Sequence, residues 1–284
     1  MGLLLNDTPT GGVSPGNNPM ITGGGAVEEG WGSRAPACAG GYPVCQAGPM
    51  AVVEQKSGHR TAAHGFYKGH SVHAAPGVHE YAVELVRAAL PDGGRVLEVG
   101  AGCGALALRL RDAGLDVVPT DLDPPHDWIH RLDLDSPEWT DETRGPFDMV
   151  VCVETLEHVE NPRQVLRSIR SLLRPGDKLL VSTPNITHPH SRLKMLLRGA
   201  PYIFGPRHYH SPGHITILPD WMLTEHVRLA GFDQIEVRTG GDTFYRGVVK
   251  LAYRAEIALL RLIGVRQRAD SGQGICTFLT AVAV

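Results

Sequence analysis

Glu98-Val99-Gly100-Ala101-Gly102-Cys103-Gly104 is the stretch on which the reading of this chain turns. It closes a short apolar run, Arg95 to Gly100, and opens onto a helical stretch, Ala105 to Ala113, that stops at Gly114. Glycines there let the backbone turn tightly and approach a ligand, and the start of the helix presents unsatisfied N–H groups. The next strand, Asp116 to Thr120, ends at Asp121-Leu122-Asp123, where an acid can accept hydrogen bonds from both hydroxyls of a ribose. A dinucleotide loop usually places its third glycine farther along the helix and pairs its phosphates with basic groups. Here Gly104 follows Gly102-Cys103 directly and no basic residue stands near the loop, which points to a nucleoside without a pyrophosphate.

Working outward, the apolar pattern alternates between strand and helix. Val78, Tyr81, Ala82, Leu85, Val86, Ala89 and Leu90 recur at helical spacing and stop at Pro91-Asp92-Gly93-Gly94. Beyond the loop the expected strands are 128–132, 147–153, 178–182, 232–238 and 275–282, with helices at 161–173 and 219–230. Continuous Val, Leu and Ile strands separated by helices are what a parallel sheet covered on both faces requires, so the expected fold is α/β and doubly wound. The first 50 residues differ: 12 Gly, 6 Pro and only four charged residues, without periodicity. Such a segment buries too little apolar area to offset its ordering entropy, so 1–57 reads as a disordered leader before a domain at 58–284.

The chain of 284 residues carries a formal net charge of -3, which supplies no global reason to expect a nucleic-acid partner. No apolar run reaches the ~20 residues of a bilayer span. The Met1-Gly2-Leu3-Leu4-Leu5 start is too short for a signal-peptide core, and Asn6 breaks the myristoylation pattern. Five cysteines without a C-x-x-C pair speak for a reducing, cytoplasmic setting rather than a disulfide framework.

Several motifs in fixed order resemble class I S-adenosylmethionine-dependent methyltransferases. Glu98 to Gly104 looks like their first motif, Asp121 like the ribose acid, Asp133-Leu134 like the pair that holds the adenine amine, and Phe147 to Val151 like their fourth strand. Leu173-Arg174-Pro175-Gly176 and Ser182-Thr183-Pro184-Asn185 match the passage into their fifth strand. The resemblance implies a Rossmann-like, seven-stranded, mostly parallel sheet with an antiparallel last strand. It also implies a cofactor site of Glu98, Gly100, Gly102, Gly104, Asp121, Leu122, Asp133, Leu134 and Glu154. Cys152 to Val159 and Gly199 to Ile203 are similar to the ubiquinone-biosynthesis O-methyltransferase group, in which the E-x-x-E-H cluster has been linked to a divalent metal. Small-RNA 2′-O-methyltransferases carry a similar cluster plus a later His. Their aromatic-acid pattern is replaced here by Ile217-Leu218-Pro219 after His214-Ile215-Thr216.

The expected activity is therefore methyl transfer to a hydroxyl, or an amine, of a small acceptor. The alternatives are an RNA or protein methyltransferase and a non-catalytic cofactor-binding module. A hydroxyl acceptor needs a base or a metal to take its proton. His158, directly after the fourth strand, is the first candidate, with His214 as a second. Glu154, Glu157, His158 and His214 are the candidate ligands of a divalent ion such as Mg²⁺, the competing reading being a plain helix start. The long 185–216 loop, with five histidines among Tyr202, Phe204 and Tyr209, is expected on the acceptor side. An amphipathic helix at 243–268, with six basic residues against Glu256, could lie on an anionic membrane, cover the substrate or form a dimer face.

Overall fold

The computed structural model describes residues 65–143, 145–242, 251, 255–256, 258–259, 262–264 and 274–284. The leader expected at 1–57 and most of the helix expected at 243–268 lie outside these residues. Among them, no helix is long and apolar enough to cross a membrane.

A two-stranded hairpin comes first, β1 (Phe66–Tyr67) and β2 (His70–Ser71), followed by α1 (Val78–Ala89). Then come β3 (Arg95–Val99), α2 (Ala105–Asp112), β4 (Asp116–Asp121), β5 (His130–Arg131), β6 (Met149–Val153), α3 (Pro162–Ser171) and β7 (Lys178–Pro184). The chain continues through α4 (Pro189–Arg198), α5 (Pro206–His210), α6 (Asp220–Leu229), β8 (Phe232–Gly240) and β9 (Cys276–Ala283).

The main sheet has seven strands in the order β5-β4-β3-β6-β7-β9-β8. β3, β4, β5, β6 and β7 pair in parallel, whereas β9 runs antiparallel to both β7 and β8. This is the doubly wound sheet with an antiparallel last strand that the motifs implied. The central strand β6 is apolar throughout because both of its faces are covered: every residue, Met-Val-Val-Cys-Val, is buried. On one face Val78, Ala82 and Val86 of α1 pack with Leu106 and Leu110 of α2; on the other, Val165, Leu166 and Ile169 of α3 pack with Leu223 and Val227 of α6. The chain steps outward from β3 through β4 to β5, then returns to β6 on the other side. The crevice at the carboxyl ends of β3 and β6 is thus the topological switch point.

Three details differ from the sequence reading. The strand expected over 128–132 shrinks to the two residues of β5. The segment 185–216 holds two helices, α4 and α5, rather than continuous loop. The β1–β2 hairpin, whose two-residue strands are too short to show periodicity, packs on α2: Tyr67 Oη and Lys68 Nζ donate to the two carboxylate oxygens of Asp112 at 2.5 and 2.6 Å. Cys152 and Cys276 are buried free thiols.

Candidate functional site

The glycine loop between β3 and α2 is shaped by what presses on it. Gly100 has φ 75°, and a Cβ there would fall 2.3 Å from Thr155 Oγ1. Gly104, at φ 78°, precedes the first turn of α2, and its Cβ would fall 2.2 Å from the Trp128 ring. Between them the Gly102 N–H donates to Asp121 Oδ2 at 2.7 Å, while the Asp123 N–H donates to Oδ1 at 3.1 Å. Asp121 thus sits at the end of β4 against the loop, where the sequence placed it. From the hairpin side, the His70 Nδ1–H donates to the Cys103 carbonyl at 2.8 Å.

Glu98, one residue before the end of β3, is buried, and its Oε2 has no hydrogen-bond partner. Burial raises its pKa to about 8; the like charge of Asp121 adds to this and Arg111 opposes it. Leu122 is exposed at the strand end. Asp133 and Leu134 follow β5, whose next residue is tied back to β4 by the Leu132 N–H on the Asp121 carbonyl at 2.8 Å. The Asp133 carboxylate accepts the Asp135 N–H at 3.0 Å, and Leu134 packs against the larger core cluster.

The second part of the site is the corner after β6. Glu154 adopts φ 51°, a left-handed conformation unusual for a side-chain-bearing residue. Its Oε1 accepts the Ser182 hydroxyl at 2.9 Å, and the Cys276 thiol donates to the same carboxyl. Next comes a short 3-10 turn, Leu156–His158. Glu157 is 1% exposed, and its Oε2 has no hydrogen-bond partner. Burial, and then the neighbouring Glu154, push its pKa well above the usual carboxylate range.

The His158 Nδ1–H donates to the Gly213 carbonyl at 3.1 Å and the His214 Nδ1–H to the Ile203 carbonyl at 2.9 Å, with ring centroids 4.8 Å apart. The Ile215 and Thr216 N–H groups donate to the Glu157 carbonyl at 2.9 and 3.0 Å, which brings the His214 segment against the turn. Burial lowers both imidazoles from their ordinary value, His214 to about 4.

Of the four residues expected to meet, three do: one ligand atom each from Glu157, His158 and His214 lies within 4.8 Å of the others. Glu154 stands apart, engaged by Ser182 and Cys276. His208 stacks 6.4 Å from His214 but does not enter the cluster. Sequence reasoning missed Thr155, which bridges to the Val99 and Val153 carbonyls at 3.3 and 3.0 Å, and missed His70 altogether. No local pattern announces either, because each acts through a contact distant in sequence.

Residues 73–237 match the family profile described as "Methyltransferase domain". The chain is 39% identical over 145 residues to the ubiquinone biosynthesis O-methyltransferase of Xanthomonas axonopodis pv. citri (strain 306), covering 45% of this chain and 60% of that protein. It is 36% identical over 160 residues to the enzyme of the same name from Xanthomonas campestris pv. campestris (strain B100), covering 50% of this chain and 66% of that protein. The matched part therefore spans less than two thirds of either relative. A crystal structure of a SAM dependent methyltransferase from Archaeoglobus fulgidus aligns with TM-score 0.48 and 15% identity over 72% of this chain and 94% of that one. With more than half of its residues matched, in a span that takes in the glycine loop, Asp121 and the Glu157–His158 corner, the chain belongs to the methyltransferase domain family.

Proposed function

We propose that this protein transfers the methyl group of S-adenosylmethionine to a hydroxyl of a small-molecule acceptor. The observation that carries this reading is the contact of the two half-sites: Thr155, at the head of the Glu157–His158 turn, fills the space beside Gly100 in the glycine loop. A nucleoside held by the loop and an acceptor held by the corner are thereby neighbours. The sulfonium nucleoside, when bound, supplies an already activated methyl group, so the chain's task is alignment and exclusion of water. Asp121 is suited to the ribose hydroxyls, and the loop N–H groups to the methionine end. The partnerless oxygen of Glu98 beneath the loop fits a cationic or hydrogen-bond-donating group, which such a nucleoside carries.

The corner fits a divalent ion. Glu157 offers a buried, partnerless carboxylate oxygen, and each imidazole, fixed through Nδ1 on a backbone carbonyl, keeps the lone pair of Nε2 available. Glu157, His158 and His214 would hold the ion, whose charge would lower the pKa of an acceptor hydroxyl. Burial keeps both imidazoles neutral near pH 7, the form that binds an ion or takes a hydroxyl proton. The ubiquinone-biosynthesis relatives, O-methyltransferases by name, favour an oxygen acceptor here.

Calorimetry with S-adenosylmethionine and S-adenosylhomocysteine, followed by turnover on a panel of phenolic acceptors with and without EDTA, tests the proposal. Micromolar nucleoside binding and methylated product are expected; no affinity for either nucleoside refutes it. Binding without turnover on any acceptor would leave the chain a binding module. Activity insensitive to EDTA removes the ion and leaves His158 as the proton acceptor.

A further inference from the structure

The family match begins at residue 73, so the β1–β2 hairpin lies outside it, yet the hairpin is tied to the glycine loop and to the far end of α2. The Val72 N–H on the Gly65 carbonyl at 2.8 Å closes it. At one end Tyr67 and Lys68 bind Asp112, the last residue of α2, where a carboxylate meets the negative end of the helix dipole and needs such partners. Beside them the Arg109 guanidinium lies 4.1 Å from the centre of the Tyr67 ring. At the other end, about 12 Å away along the eight residues of α2, the His70 Nδ1–H donates to the Cys103 carbonyl at 2.8 Å. The His70 ring is held edge-on by His126 and Trp128, at 4.7 and 5.6 Å between ring centres. Trp128 in turn covers Gly104, and His73, just past the hairpin, lies against Gly102.

We infer that this hairpin is a working part of the nucleoside site, with His70 as a positioning residue that holds the glycine loop in its binding form. The inference rests on the methyltransferase reading above and assigns a residue that it does not. Cys103 stands between Gly102 and Gly104, at φ 54° and 78°, so the backbone on either side of it is free to turn. The Cys103–Gly104 peptide is nevertheless held at both ends: its carbonyl accepts from His70, and its N–H donates to the Ala101 carbonyl at 2.8 Å. A peptide is planar, so fixing its two ends fixes the way it faces. Asp121 holds the preceding part of the loop through the Gly102 N–H. Without the His70 donor the loop divides its population among other backbone forms, and the apparent affinity falls with the fraction that stays competent. His70 acts through the Cys103 carbonyl, not on the nucleoside itself.

Calorimetry with S-adenosylhomocysteine on the full chain separates the donor from the ring. His70→Phe keeps an aromatic ring beside His126 and Trp128 but has no donor, whereas His70→Asn places an amide N–H close to where Nδ1 stands. His70→Phe is expected to bind about tenfold more weakly than the wild type and His70→Asn within about threefold of it, the order that a packing role would reverse. Asp112→Ala releases the far end of the hairpin without touching the loop and is expected to weaken binding about threefold. Asp112 is exposed at a helix end, so this variant folds and decides the matter even if the changes at position 70 do not fold. Wild-type affinity in His70→Phe, a loss in His70→Asn as large as that in His70→Phe, or undiminished affinity in Asp112→Ala overturns the inference. A wild type that fails to bind S-adenosylhomocysteine at all refutes the methyltransferase reading itself.

Discussion

The Asp121 carboxylate accepts the Gly102 and Asp123 N–H groups, and in the proposed function it also meets the ribose hydroxyls. Replacing it by Ala removes the loop's brace and leaves ribose donors unpaired. Affinity for S-adenosylhomocysteine should fall by roughly 1–3 kcal/mol, read by calorimetry; an unaltered dissociation constant would deny it the ribose role. Glu98 makes a different, pH-linked prediction. Its pKa is raised on folding from 4.5 to about 8, so the folded state holds the proton more tightly than the unfolded one. The resulting stability is complete below pH 4.5 and is lost as pH rises through 8. In Glu98→Gln that decline should shrink by roughly 2–4 kcal/mol between pH 5 and 9, measured by urea denaturation. Parallel pH profiles for the two proteins would mean that the carboxyl is solvated.

At the scale of elements, the Glu157–His158 turn is bounded on its far side by α3, whose start is fixed by Asn161: its side-chain oxygen accepts the Gln164 N–H and Pro162 opens the first turn. Asn161→Ala should cost about 1 kcal/mol of stability while nucleoside affinity stays within twofold of the wild type, because the cap lies outside the cofactor half of the site. A large loss of affinity would show that the turn depends on the helix for its shape. The central strands were legible because sheet burial on both faces demands short apolar runs, and β6 and the Leu-Leu-Val stretch of β7 are such runs. The glycine loop and the acid after β4 were legible because backbone turning and ribose pairing each demand a particular residue type. Helix α4 was not, although Pro189 starts it and Gly199 ends it. Its apolar residues Met195, Leu196 and Leu197 face solvent, so no core-facing stripe marks it as helical. Glu154 was misplaced for a related reason. A residue three places from a candidate ligand on a turn is easily counted with it, but the φ of 51° and the contacts from Ser182 of β7 and Cys276 of β9 leave no trace in the local sequence.

The described domain places the glycine loop and the Glu157–His158–His214 cluster, the two candidate binding regions, at one switch point and ties each to a different part of the chain. The ion reading is testable there without any acceptor. Mn²⁺ or Mg²⁺ at a hundred times its dissociation constant should stabilise the fold by about 2.7 kcal/mol, seen as a rise in Tm that EDTA reverses. Glu157→Gln should abolish the rise. A wild-type Tm indifferent to divalent ions would leave the cluster a hydrogen-bonded corner and nothing more. The packing of Thr155 into the room a Gly100 side chain would need has a consequence for how such a chain can diversify. Even a single methyl at 100 would wedge the floor of the nucleoside cleft away from the strand beside it, so neither loop can change alone. Change is more easily borne by α4 after β7, where Met195, Leu196 and Leu197 face solvent and can be rewritten while the packing of Thr155 on Gly100 stays intact.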